Sequence, residues 1–187
     1  MLDVVDMNGN PTGKIVSRDV AHAEGVRHRT SHVWLVRMNN DRFQILLQKR
    51  SNNKDSYPGC YDISSAGQIP AGVDFIPSAL RELEEELGIE ASADELILCG
   101  QRNIHFDETF HDRRFVDNQV SNVYLLWRDQ DEFRIQKEEL SAVEWFDFED
   151  CLEAVRVNRI PNCIYEEELL MVKKGAEQNM KESMSGN

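Results

Sequence analysis

Alternation of apolar and polar positions predicts short strands interrupted by a few helices. Leu2 to Asp6 has the spacing of a short strand, ended by the turn signal Asn8-Gly9-Asn10-Pro11-Thr12-Gly13. Ser17-Arg18-Asp19 predicts the cap of a short helix that runs through Ala23 and stops at Gly25. His32–Val36 and Phe43–Gln48 read as two strands of a hairpin around Asn39-Asn40-Asp41. Asn52 to Asp62 reads as loop. The strongest helix runs from Pro77 to Leu87, with proline in its first turn and Gly88 just past its end. At 100° per residue, Ile76, Ala79, Leu80, Leu83 and Leu87 gather on the side expected to pack on a sheet. Strands follow at Leu96–Phe106 and Phe115–Trp127, joined across the polar stretch Asp107–Arg114. A strand at Val143–Phe146 leads into a helix at Glu149–Val157, and a last helix covers Ile164–Lys174. No internal repeat or Pro/Gly/Ser-rich linker divides the chain. The expectation is one α/β layered domain over residues 1–174, with a polar, disordered tail at 175–187.

At 187 residues the chain is long enough for a real core, and 41% hydrophobic with 29% charged residues is a folded composition. Its 21 Lys+Arg against 34 Asp+Glu leave a net charge of −13, which argues against nucleic-acid or anionic-membrane partners. No apolar run approaches the roughly 20 residues that span a bilayer. The start, MLDVVDMNGN, carries acids too early for a secretory signal, so a cytoplasmic location is expected. Cys60, Cys99, Cys151 and Cys163 form no C-x-x-C pair and are expected as small buried thiols.

Helical spacing places Glu82, Glu85 and Glu86 on one arc beside the apolar face, with Arg81 one turn before Glu85 and able to orient it. On a bare helix the Glu82/Glu86 pair costs a few tenths of a kcal/mol, whereas a hard divalent cation turns that repulsion into ligation. A solvated acidic face is the plainer alternative. The preceding Gly67-Gln68-Ile69-Pro70-Ala71-Gly72 changes the weighting. From Gly67 to Ile89 the chain resembles the Nudix box, G-x5-E-x7-R-E-U-x-E-E-x-G-U, with U a bulky aliphatic residue. Gly67, Arg81, Glu82, Leu83, Glu85, Glu86, Gly88 and Ile89 all fall in register. The first box glutamate is replaced by Val73, with Asp74 next to it as a partial substitute.

The resemblance implies a Nudix-type α/β/α sandwich with a central mixed β-sheet. It also implies hydrolysis of a diphosphate linkage with Mg2+ or Mn2+, in a nucleoside diphosphate derivative or another small organic diphosphate. Glu85, Glu86 and the Gly67 carbonyl would hold the metal. Glu82 would be a further ligand or the general base, which makes Glu82, Glu85 and Arg81 the catalytic set. A small-molecule diphosphate is the expected partner, and a homodimer is the protein assembly left open.

Outside the box, the chain resembles the Nudix branch that includes isopentenyl diphosphate isomerases. The cues are Asn10-Pro11-Thr12-Gly13, Ala21-His22, Val33-Trp34, Lys49-Arg50, Lys54 and Tyr57-Pro58-Gly59. That branch implies diphosphate contacts at Arg50 and Lys54, with Arg18 where it has a lysine. Its proton-transfer chemistry does not carry over. Ala66 stands at the cysteine position, Gln68 at a metal histidine and Gln119 at the proton-transferring glutamate. Of its metal histidines His22 matches, and His28 is one residue out of register. Alanine and glutamine do not exchange protons near neutral pH. A catalytically silent nucleotide-binding regulatory module is the remaining alternative, although such modules typically degrade the helix glutamates.

His22, His28, His32, His105 and His111 form no sharp ligand motif and are expected in hydrogen-bonded structural roles. Glu108 or Asp117 could add one more acid to the site. Trp34, Tyr57, Phe106 and Phe110 are expected in core or rim packing.

Overall fold

The structure is a computed structural model and describes residues 1–186. Strand β3 (His28–Asn39) is the centre, because its apolar run buries side chains on both faces. It pairs antiparallel with β4 (Arg42–Arg50) and parallel with β8 (Arg113–Trp127). The seven-stranded mixed sheet runs β5 (Tyr61–Asp62), β4, β3, β8, β7 (Ile97–Phe110). Strand β6 (Ser65–Gln68) adds to β3 and β9 (Leu140–Asp147) to β4. A separate ribbon of β1 (Leu2–Val5) and β2 (Pro11–Val16) is bridged to the box loop by Leu2 and Pro70.

Period-two alternation splits the core into two layers. Val33, Leu35, Leu46, Tyr124 and Leu126 face α2 (Phe75–Leu87), meeting Ala79, Leu83 and Leu87. Trp34, Val36, Ile45, Leu47, Val123 and Leu125 face α3 (Phe148–Arg156) and α4 (Glu166–Ser185). The result is the expected α/β/α sandwich. Helix α1 (Arg18–Glu24) begins at Ser17, which accepts from the Val20 amide, and ends at left-handed Gly25, as its sequence signals foretold.

Three expectations are corrected. The stretch Asp107–Arg114 is not a loop but the tip of a long hairpin, with Phe110 opposite Arg113. Its turn is His111-Asp112, both at positive φ (50° and 60°), a two-residue hairpin turn written without the Asn-Gly signal that usually marks it. Lys14–Val16, unassigned from sequence, completes β2 after the Asn8–Gly13 turn region. Finally, the segment after Lys174 is not a disordered tail, because α4 continues through Gly175 to Ser185. Gly175 does not stop this helix but seats it: a Cβ there would lie 2.7 Å from Cys99 Sγ and 3.4 Å from Leu125. Leu169, Val172 and Ala176, spaced by three and four, form its buried face. Asn187 lies outside the described residues.

Candidate active site

Helix α2 packs against β6, and that contact assembles the glutamate arc. Glu86 is buried; it accepts hydrogen bonds from Ser65 Oγ (2.7 Å) and the Ala66 amide (3.3 Å). Burial pushes its carboxyl up to about 8, despite the Ser65 hydrogen bond that favours the charge. Glu82 is largely covered, and burial raises its pKa as well, against the stabilising Arg81 contact. Glu85 is the exposed member of the arc. Gly67 closes on Glu82 so tightly that a Cβ would sit 2.4 Å from its Cδ, so only glycine leaves room for the carboxylate. The donor set fits a hard divalent cation, with carboxylates on one helix arc and one of them, Glu86, held where burial and the neighbouring Glu82 oppose its charge.

Arg81 forms the expected ion pair with Glu85, at the long end of the range, and a closer one with Glu82. Its Nη2 donates to the adjacent Glu82 at 2.9 Å, while its Nε stands 3.8 Å from Glu85. It lies behind the carboxylates and is not part of the cavity wall. Asp74 occupies the N-cap position of α2 without a side-chain cap bond. Among the described residues it makes no hydrogen bond or ion pair with Arg81.

A cavity of about 600 Å³ opens beside the arc, lined by Gly67, Glu82, Glu85 and Glu86 and also by Arg18, Arg50 and Lys54. Residues far apart in sequence thus share one space, although each basic residue already has a partner. Arg50 is mostly buried, with Nη1 bonded to Asp62 at 2.9 Å and Nη2 to the Ser56 carbonyl at 2.8 Å. Lys54 pairs with Glu139, and exposed Arg18 stands 3.6 Å from Asp55.

The sheet side of the cavity holds residues that sequence reasoning undervalued. Asp117 lines the wall, whereas Glu108 does not; Glu139 is an acid not singled out from sequence. No local signal marks Glu139, because it lies in the irregular stretch before β9. His22, His28 and Asp117 bring potential ligand atoms within 4.8 Å of one another. His28 Nδ1 faces the Val26 carbonyl at 2.9 Å, while its Nε2 and Asp117 Oδ1 are buried without a hydrogen-bond partner. Gln68 Nε2 reaches His22 Nε2 at 2.6 Å. Trp34 is a core residue as expected, fully buried with its indole N–H on Glu168 (2.9 Å). Tyr57 packs edge-to-face on Phe106 and Phe110, at 5.6 and 4.7 Å between ring centroids.

A family model for the NUDIX domain matches residues 27–167, from β3 into the first turn of α4. The chain belongs to the Nudix family. It is 38% identical over 160 residues to Nudix hydrolase 3 of Arabidopsis thaliana, a match covering 79% of this chain and 19% of that protein. An uncharacterized Nudix hydrolase of Listeria monocytogenes is 35% identical over 147 residues, 75% of this chain and 82% of that one. An isopentenyl-diphosphate Delta-isomerase of Paenarthrobacter aurescens is 30% identical over 125 residues, 67% of this chain and 64% of that one. The crystal structure of DR0079 from Deinococcus radiodurans superposes with TM-score 0.62 at 24% identity, covering 92% of this chain and 97% of that one. No helix of the described residues is long and apolar enough to cross a membrane.

Proposed function

We propose that the chain hydrolyses a diphosphate linkage in a nucleoside diphosphate derivative or another small organic diphosphate, with Mg2+ or Mn2+ as cofactor. The observation that carries this reading is one cavity lined by both the glutamate arc of α2 and the basic residues Arg18, Arg50 and Lys54. Glu85, Glu86 and the Gly67 carbonyl would hold the cation, with Glu82 beside them as the base. When bound, it offsets diphosphate charge, polarises phosphorus and lowers the pKa of a nearby water.

The chain's own groups supply the rest. Lys54 and Arg18 attract and place the phosphates, and Arg50 stiffens that wall through Asp62 and Ser56. Glu82 accepts the proton of the attacking water; its burial raises its pKa towards that task. Arg81 fixes the direction of the Glu82 carboxylate. Water oxygen bonds to one phosphorus, the bridging P–O bond breaks, and two phosphate-bearing products leave.

The test is a panel of nucleoside di- and triphosphates, dinucleotides, nucleotide sugars and prenyl diphosphates with Mg2+ and product identification. Release of phosphate-bearing products that survives Glu85→Gln unchanged would refute the metal role. The similarity to an isomerase favours one second reading, isomerisation of a prenyl diphosphate. Against it, Gln119 is engaged on both sides, accepting from Thr30 Oγ1 at 2.6 Å and donating to Asp117 at 2.8 Å. Isotope exchange into a prenyl diphosphate would decide for the isomerase. A silent binding module would be favoured if metal titration showed no divalent-ion binding.

A further inference from the structure

Opposite α2, the sheet side of the cavity carries a charged row that the proposed hydrolysis does not use. Glu168, in the first turn of α4 and 1% exposed, accepts from His32 Nδ1 (2.8 Å), Trp34 Nε1 (2.9 Å) and Arg102 Nη1 (2.7 Å). One carboxylate therefore serves two basic side chains. The next acid, Asp62, is taken by Arg50 at 2.9 Å. Glu168 with His32 and Arg102, and Asp62 with Arg50, make a row of ion pairs along this wall, and Asp117 adds a further acid on the same side.

His32 is the member of this row with one ring nitrogen only weakly held. Nδ1 is committed to Glu168. Nε2, on the far side of the ring, has Thr30 Oγ1 at 3.5 Å, beyond the ordinary N–H···O range. That hydroxyl is itself engaged with Gln119 and Ser121. The ring lines the cavity, and His32 pairs across the sheet with Ala66, whose amide anchors Glu86. One strand spacing, about 5 Å, separates the two backbones.

We propose that His32 is a substrate-binding residue, its Nε2–H being the charged donor that holds an anionic oxygen of the diphosphate on the sheet side of the cavity. Glu168 and Arg102 act through it as positioning residues. Burial works against a charged imidazole, but Glu168 outweighs burial and raises the His32 pKa above its ordinary value. The inference rests on the diphosphate reading of this cavity, yet it concerns binding and not the hydrolytic step.

The test is calorimetric titration of the full chain with methylenediphosphonate and Mg2+, which reports binding without turnover. His32→Asn keeps a donor near the Nδ1 position for Glu168 and deletes the Nε2 donor; His32→Gln keeps a neutral donor near Nε2. We expect His32→Asn to weaken binding about tenfold, the scale of one charge-assisted hydrogen bond, with His32→Gln intermediate. Equal affinity of wild type and His32→Asn overturns the proposal, as does a wild type that binds no diphosphonate. If both variants melt far below wild type, the wild-type His32 ring resonances settle the matter. A shift of the Nε2–H signal on titration is expected, and no shift overturns the proposal. Diphosphonate binding without hydrolysis of any substrate would sink the proposed function and leave this inference standing. Hydrolysis with an unchanged KM in His32→Asn would do the reverse.

Discussion

Glu86 Oε2 lies 2.7 Å from Ser65 Oγ, and this hydrogen bond ties the glutamate helix to the strand that carries Gly67. The bond does not offset the burial of a carboxylate whose pKa is pushed up to about 8. A group with a raised folded pKa is neutral and harmless below its unfolded value of 4.5, and its cost grows as pH rises from there towards 8. Metal-free protein is therefore expected to lose stability between pH 5 and 8, by an amount on the order of a few kcal/mol. Glu86→Gln should flatten that slope, and the rise in melting temperature that the proposed metal site predicts for wild type with Mg2+ should be absent from the variant. Thermal melts at both pH values, with and without Mg2+, measure both effects.

Gly67→Ala should displace Glu82, because the added methyl would meet its carboxyl carbon at 2.4 Å. Overpacking of this kind costs about 1–3 kcal/mol. We expect a kcat loss of at least tenfold with a modest drop in melting temperature. A variant with wild-type kcat would show that Glu82 tolerates relocation.

Arg50 and Lys54 should separate under mutation, although both line the cavity. Arg50→Ala strands Asp62, whose carboxylate is buried, and breaking such a pair costs about 3–5 kcal/mol. Lys54→Ala removes a partly exposed pair worth no more than about 1 kcal/mol. Lys54→Ala should therefore raise KM with its melting temperature nearly unchanged, while Arg50→Ala should melt early. Denaturant titration beside steady-state kinetics distinguishes them.

Glu168 gives the fold a defined acid limit. Burial alone would raise its pKa, but His32, Trp34 and Arg102 hold it down at about 2, against an ordinary 4.5. A depressed carboxylate stabilises the fold above its unfolded value, and that stability is lost as pH falls from 4.5 towards 2. His32 has the opposite sign: its contribution is full below 6.5 and lost as pH rises through its raised folded value. Glu168→Gln should lower the melting temperature at pH 6 and narrow the difference between pH 6 and pH 3. An unchanged difference would mean that the buried ion cluster contributes no net stability.

The sequence was most legible where local spacing and tertiary packing agree. The α2 arc, the Ser17 cap, the β3–β4 hairpin and the Gly67–Ile89 register all depend on neighbours within a few turns of chain. Glu168 was invisible because its partners His32, Trp34 and Arg102 lie 136, 134 and 66 positions away. Glu139 likewise reaches the cavity only through the fold. The polar letters of Asp107–Arg114 read as loop because exposed hairpin tips and loops share a composition, and His111-Asp112 lacks the usual turn residues. The stretch after Lys174 read as a tail because it is polar, yet Gly175 allows close approach to Cys99 and Leu125 and so seats the helix on the sheet.

That close approach has a consequence for how defects in this protein would present. Gly175 lies seven residues after Glu168 on the same helix, two turns or about 10 Å along its axis. Helix α4 is therefore seated in the hydrophobic layer at Gly175 and reaches the cavity wall at Glu168. Enlarging Cys99 or Leu125 is expected to push on the helix that carries Glu168, from the side of the sheet away from the box helix. Such a lesion would show first as weakened ligand affinity, although it arose in the oily interior.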